Sequence, residues 1–243
     1  MKFHHYATLA AFSLLLSASV VACERCGNYA GPDFKIQAAS GRYDADLDSV
    51  ILEIKVEGRA GATVPTAAGQ LDGAPVFGYV FPTTLKATDV GFSEVEGIVA
   101  LALTSHPDFD DTPLWDENRD GRYDNDGVIW HPHWVVLGED KRVGGGLAVK
   151  QFTKGDAAVK LPPTAPGMPM YMDSPGFTTV AREKTIRVIV PADRINRRLD
   201  FRFDAVTAYL RVNTSDMMMP MLGVERVYSV GSGNLSLPYV LTR

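Results

Sequence analysis

The sequence predicts an all-β chain: a β-sandwich of two antiparallel sheets with long loops and little helix. Three observations carry that prediction. Short runs rich in β-branched and aromatic residues recur along the chain, each bounded by Gly, Pro or Asp turns. The run "DSVILEIKVEGRAG" alternates apolar and polar residues, as a half-buried strand does. No stretch shows a long 3.6-residue apolar period with caps, so helices are expected to be few and short.

Taken in order, the first strand signal has Ile51, Ile54 and Val56 as strand formers between Asp48 and Gly58. "APVFGYVFPTTL", "GIVALALTS" and "VIWHPHWVVL" follow, then "GGLAVKQF", "TIRVIVPA", "LDFRFDAVTAYLRVN" and "NLSLPYVLT". Between them, "VKLPPTAPGMPMYMDSPGF" (Val159 to Phe177) carries five prolines and no regular period. It reads as a long loop, an insertion or a domain seam. "DRINRR", from Asp193, can give one helical turn. No repeat crosses the proline-rich loop, and residues 35–243 are expected to form a single β-sandwich domain.

The first 22 residues read as a secretory signal peptide. Lys2 precedes an apolar run, "ATLAAFSLLLSASVVA", that ends in small residues. The run is too short and too poor in large residues for a membrane span. "VVAC" fits cleavage after Ala22, and it also resembles a lipobox, in which Cys23 would become lipid-modified. The expected location is therefore the periplasm, the outer membrane or the cell surface. Residues 23–34 form an N-terminal segment with Cys23 and Cys26, the only two cysteines. They form a local disulfide unless Cys23 carries lipid. "GNYAGPD" follows them instead of a helix, which argues against a thioredoxin-like motif.

The mature chain keeps roughly 220 residues, enough for one sizeable core. Its charge is mildly acidic, with a formal net charge of −5 for the whole chain. Apart from Arg194, Arg197 and Arg198, the basic residues are scattered, and no nucleic-acid groove is expected.

Chemistry concentrates in "DENRDGRYDNDGVIWHPHW", from Asp116 to Trp134. Its first half opens like an EF-hand calcium loop. Asp116, Asn118 and Asp120 alternate, Gly121 allows the sharp turn, Arg122 would give its carbonyl, and Asp124 takes the ninth position. Alternate side chains of a curling loop converge on a hard cation, which is why calcium needs this spacing. At the twelfth position Gly127 replaces the bidentate Glu. Asp126, or Asp110 and Asp111 from the preceding stretch, would supply that oxygen.

The second half holds "WHPHW". After signal removal His106, His131 and His133 are the only histidines, and Trp115, Trp130 and Trp134 lie in the same region. Residues two apart on a strand share a face, so His131 and His133 can reach one ion. Pro132 faces away and implies an edge strand or a bulge. If the acidic stretch is a long hairpin loop, His106 returns opposite the pair. Three imidazoles then form a site suited to copper or zinc. Two methionine groups stand apart: Met168, Met170 and Met172 at period two, and Met217 to Met219 with Met221. Thioethers select Cu(I), although methionine also fills irregular gaps in cores and loops.

The tryptophan beside closely spaced histidines in an exported chain resembles the copper-binding surface proteins of methane-oxidising bacteria, the CorA/MopE group. That resemblance covers Trp130 to Trp134. It implies copper bound between histidines and an oxidised tryptophan, with Trp130 the leading candidate and Trp134 the alternative. The expected function is thus an exported copper-binding protein for copper acquisition, storage or handling, with a structural calcium loop. Its partners are metal ions, with outer-membrane association through a lipidated Cys23 and a protein partner at the cell surface as further expectations. Two other classes use the same residues. One is a mononuclear copper or zinc enzyme with an open position for water and a base at Asp108 or Asp110. The other is a calcium-stabilised adhesion or interaction module.

Overall fold

The computed structural model describes residues 31–65, 71–107 and 129–242. The signal segment, Cys23 and Cys26, and the whole acidic stretch with Asp108, Asp110, Asp111, Trp115, Asp116, Asn118, Asp120, Arg122, Asp124 and Asp126 lie outside the described residues.

The described residues are nearly all strand and turn. In chain order the strands are β1 (Ile36–Asp44), β2 (Ser49–Val56), β3 (Pro75–Pro82), β4 (Ile98–Ser105), β5 (His131–Glu139), β6 (Leu147–Val149) and β7 (Met172–Asp173). Then follow β8 (Thr178–Arg182), β9 (Thr185–Pro191), β10 (Arg202–Phe203), β11 (Val206–Val212), β12 (Leu222–Val230) and β13 (Tyr239–Thr242). Helix among these residues is limited to 3₁₀ turns at Pro32–Phe34, Ala87–Val90 and Ala192–Ile195. The last is the turn expected in "DRINRR". It stops where Asn196 and Arg197 adopt left-handed backbone, with φ of 51° and 53°.

The first sheet is open and runs β10-β13-β1-β2-β9-β8. It is not purely antiparallel, because β1 pairs β13 in parallel through Gly41 and Arg42. Its inner face is built by Val50, Leu52, Ile54 and Val56 on β2 and by Ile186, Val188 and Val190 on β9. The expected alternation holds along the second half of β2, whereas Ser49 to Leu52, including Ile51, are buried in succession.

The second sheet departs from the expected sandwich layer. It runs β4-β3-β11-β12-β6-β5-β7, and β4 also pairs β5. Six of its strands therefore close into a barrel, with β7 appended to β5. Closure explains why β3, β4 and β5 are buried along almost their whole length. One face of each strand lines the barrel interior and the other packs against the open sheet, so both faces need apolar residues. The outward residues Phe77, Tyr79, Phe81, Leu101, Leu103 and Trp134 form one core with β2 and β9. The inward residues, including Val76, Val80, Ala100, Ala102, Val135 and Leu210, form a second core inside the barrel.

Two further local differences have physical causes. "LDFRFDAVTAYLRVN" is not one strand but β10 and β11, parted at fully buried Asp204. Its carboxylate accepts from the N–H groups of Ala205 (2.8 Å) and Ser232 (3.0 Å), which ends the ladder there. The proline-rich stretch is mostly irregular, but Met172 and Asp173 form β7 on the edge of β5.

Candidate metal centre

The barrel register brings the histidines together. On antiparallel β4 and β5, Ala102 faces His133 and Thr104 faces His131. Residues 102, 104, 131 and 133 share the inward face, and His106 continues that face two residues beyond Thr104. All three imidazoles are buried, with His106 only 2% exposed. Their ligand-bearing nitrogens all lie within 4.8 Å of one another, so the cluster can hold a metal ion.

Pro132 sits within this strand without breaking it. β7 pairs only Trp134 and Val135, so on that side no ladder of the described residues reaches Pro132. β5 is thus not an edge strand along its length, but it has a short unpaired border where the proline lies.

Each imidazole is oriented by a bond through Nδ1. The Nδ1–H of His106 donates to the Pro107 carbonyl at 2.9 Å, and that of His131 donates to the Ile129 carbonyl at 2.8 Å. His133 Nδ1 and the buried Ser174 hydroxyl are 3.0 Å apart. A carbonyl only accepts, so the tautomers of His106 and His131 are fixed with the proton on Nδ1. Nε2 is then the atom that each ring offers to an ion. The Nε2 atoms of His106 and His131 stand 2.8 Å apart. Two lone pairs cannot form a hydrogen bond to each other, so this contact calls for a cation between or beside them, either a proton or a metal ion.

Ser174 and Thr104 were not legible as site residues until the register was known. Ser174 comes just after β7, two positions beyond Met172, and its hydroxyl reaches His133. The period-two run Met168, Met170, Met172 was the available signal, and extending it by one step reaches Ser174. Beside it, burial raises the Asp173 carboxyl above its ordinary range, while a 2.6 Å bond from the Thr164 hydroxyl and the charge of Arg194 oppose that rise. The Thr104 hydroxyl is buried without a hydrogen-bond partner among the described residues. It lines the same cavity as His106 and His133.

The structure does not bring Trp130 to the histidines. Being one residue from His131, it points to the opposite face, where its indole N–H donates to the Gly61 carbonyl at 3.1 Å. Its ring packs edge-on against Tyr79, with centroids 4.8 Å apart. Gly61 has φ of 70°, and a Cβ there would fall 2.6 Å from the Trp130 Nε1, so only glycine permits this seat. Trp134 also points away from the histidines, into the core shared with the open sheet. Its indole nitrogen is buried without a hydrogen-bond partner among the described residues. Of the methionines, Met168, Met170 and Met172 line the cavity that His106 and His133 also line. Met217 and Met218 are exposed.

Comparison of the chain with protein-family models, with curated proteins and with solved structures returned no match.

Proposed function

We propose that this chain is an exported copper-binding protein whose ion sits among His106, His131 and His133. The observation that carries the proposal is the trio of Nδ1 hydrogen bonds. Metal-bound histidines almost always have the second ring nitrogen held by a carbonyl, carboxylate or similar partner, which fixes tautomer and orientation. Here His106 and His131 are held in that way by carbonyls and face each other through Nε2, while His133 Nδ1 meets the Ser174 hydroxyl.

Ligand type supports copper over zinc. Imidazole suits both ions, but copper binds a given nitrogen site more tightly along the divalent series. Three methionines along the same cavity add soft donors within the barrel that favour the reduced ion.

In this reading the acidic loop from Asp116 to Asp126 binds calcium and clasps the ends of β4 and β5. The N-terminal segment directs export, and Cys23 carries a lipid or pairs with Cys26. The "WHPHW" resemblance to the CorA/MopE group points the same way. Trp130, seated on Gly61 and Tyr79, enters the copper shell only if its oxidised form leaves that seat.

Elemental analysis of the full chain, exported and purified without chelator or affinity tag, tests the proposal. One copper per chain with calcium is the expected result. Calcium without a transition metal would instead favour an adhesion module. One observation favours the enzyme as a second reading: His106 and His133 border a cavity, so an ion held there has an open side for water or substrate. Turnover with oxygen by the copper-loaded chain would distinguish the enzyme from a carrier.

A further inference from the structure

A closed barrel of six strands should have its interior filled by side chains, since even eight strands leave only just enough room for them. This barrel instead keeps a cavity of about 200 Å³. The sequence explains the space. On the strands that form its walls the aromatic residues Phe77, Tyr79, Phe81, Trp134 and Tyr209 belong to the outer core. The inward positions that line the space include Ala102 and Ala208, whose single methyls leave the centre open.

The chemistry of the lining is one-sided. No Asp, Glu, Lys or Arg lines the cavity among the described residues. His106, His133 and Thr104 mark one end. Ile98 begins β4 at the opposite end, where Leu235 and Leu237 also border the cavity. Ile98, Val227 and Leu235 are each more than a third exposed, at 36%, 38% and 39%. Three apolar side chains of the lining are therefore partly open to solvent, and Ile98 and Leu235 are among those at the end away from the histidines.

The backbone at that rim is held in an unfavourable form. Leu235 and Leu237 have φ of 58° and 52°, a left-handed conformation uncommon for branched residues. A built network holds them there. The Ser236 N–H donates to Ser232 Oγ at 3.3 Å, the Ser232 hydroxyl donates to Asp204, and the Arg202 guanidinium donates to the Leu237 carbonyl at 2.9 Å. Strained residues cluster at ligand clamps because the surrounding structure maintains them there.

From the apolar cavity that the described residues leave, its partly exposed lining and the strained leucines, we propose that the barrel is a binding site for a small uncharged apolar molecule. The occupant is a single-ring aromatic or a short alkyl chain, entering past Leu235. An apolar cavity of about 150 Å³ stays dry and takes up benzene, so this one admits a slightly larger molecule. The proposal does not depend on which ion the histidines hold.

Toluene is the probe, titrated into the full chain by calorimetry and followed by NMR contacts to methyl groups. Saturable binding is expected, with contacts to the methyls of Ala102 and Ala208. Filling the interior by Ala208→Leu, or separately by Ala102→Leu, should weaken toluene binding by about tenfold or more while circular dichroism stays native. Benzoate, which carries a charge into the same shape, should not bind. Absence of saturable toluene binding to the folded chain would overturn the proposal. So would unchanged affinity in a filled variant that retains the native spectrum, or contacts confined to residues outside the barrel. The direct NMR contacts on the unmodified chain decide the matter even if neither variant folds.

Discussion

The Nε2 atoms of His106 and His131 lie 2.8 Å apart although the residues are 25 positions apart in sequence. Their Nδ1 protons are committed to the carbonyls of Pro107 and Ile129. The two nitrogens therefore meet with their lone pairs, an arrangement that a cation stabilises and that neutral imidazoles oppose. The approach is fixed by the register of β4 on β5, not by local sequence, and it puts the capacity to bind an ion into the fold itself.

Ser174 is expected to act as a positioning residue for His133. Ser174→Ala removes the 3.0 Å partner of Nδ1 but leaves every imidazole in place. Copper affinity should fall by about 10–100-fold, the usual cost of losing such an outer partner. Ser174→Thr, which keeps the hydroxyl, should recover most of it. A competition titration against a chelator of known affinity measures both. Equal affinity in Ser174→Ala would show that His133 needs no such support.

Much of this centre was legible before the fold was known. The inward pairing of His131 and His133 follows from strand periodicity, and the return of His106 follows from one hairpin. What periodicity could not show is which strands pair over long separations. Closure of the barrel through β3 and β11 and through β6 and β12 depends on such pairings, and so does the meeting of Ser174 with His133. The strands β1 and β8 escaped notice for another reason: "IQAASGRYD" and "TTVAR" are largely exposed and carry little apolar pattern. β12, "LGVERVYSV", was also missed: Leu222, Gly223 and Val224 are buried in succession and the residues after them are half-buried or exposed, so no clean alternation marks it. The continuous apolar runs of β3 and β4 signalled two buried faces, which a one-sided sandwich layer does not require.

Tyr79 ties the Trp130 seat to the core and gives the protein an alkaline limit. Its hydroxyl donates to the Asp33 carbonyl at 2.8 Å and accepts the Gly61 N–H at 2.9 Å. Tyr79→Phe leaves both groups without that partner, and should cost about 1–3 kcal/mol of stability in denaturant unfolding. Burial raises the phenol above its ordinary value of 10.0. The folded chain thus holds this proton more tightly than the unfolded chain. The associated stability is complete below pH 10.0 and is lost as pH rises above it toward the higher folded value. Stability measured against pH should fall less steeply above pH 10.0 in Tyr79→Phe than in the unmodified chain. Equal slopes would remove Tyr79 from the alkaline transition.

Calcium is expected to stabilise the fold and to preorganise the copper site. An ion bound only to the native chain adds RT ln(1 + [L]/Kd), so a calcium-selective chelator should lower the melting temperature. Asp120→Ala should remove that dependence. A loop that closes the β4–β5 connection also carries part of the entropy cost of bringing His106 to His131. Calcium should therefore raise copper affinity, copper should raise calcium affinity by the same factor, and a coupling of about 1–3 kcal/mol is expected. Copper titrations with and without saturating calcium measure the coupling. Identical affinities would make the two sites independent.

The most direct test of the central claim is a copper titration of the full chain beside the variant His131→Ala/His133→Ala. Both histidines point into the barrel, and replacing them leaves the outward core of Trp134 and Val136 untouched, so circular dichroism should remain that of the unmodified protein. The unmodified chain should bind one copper tightly, and the double variant none. His106→Ala alone should weaken binding by less, because two imidazoles with a solvent or thioether ligand still hold Cu(I). Full copper stoichiometry in a correctly folded double variant would contradict the account.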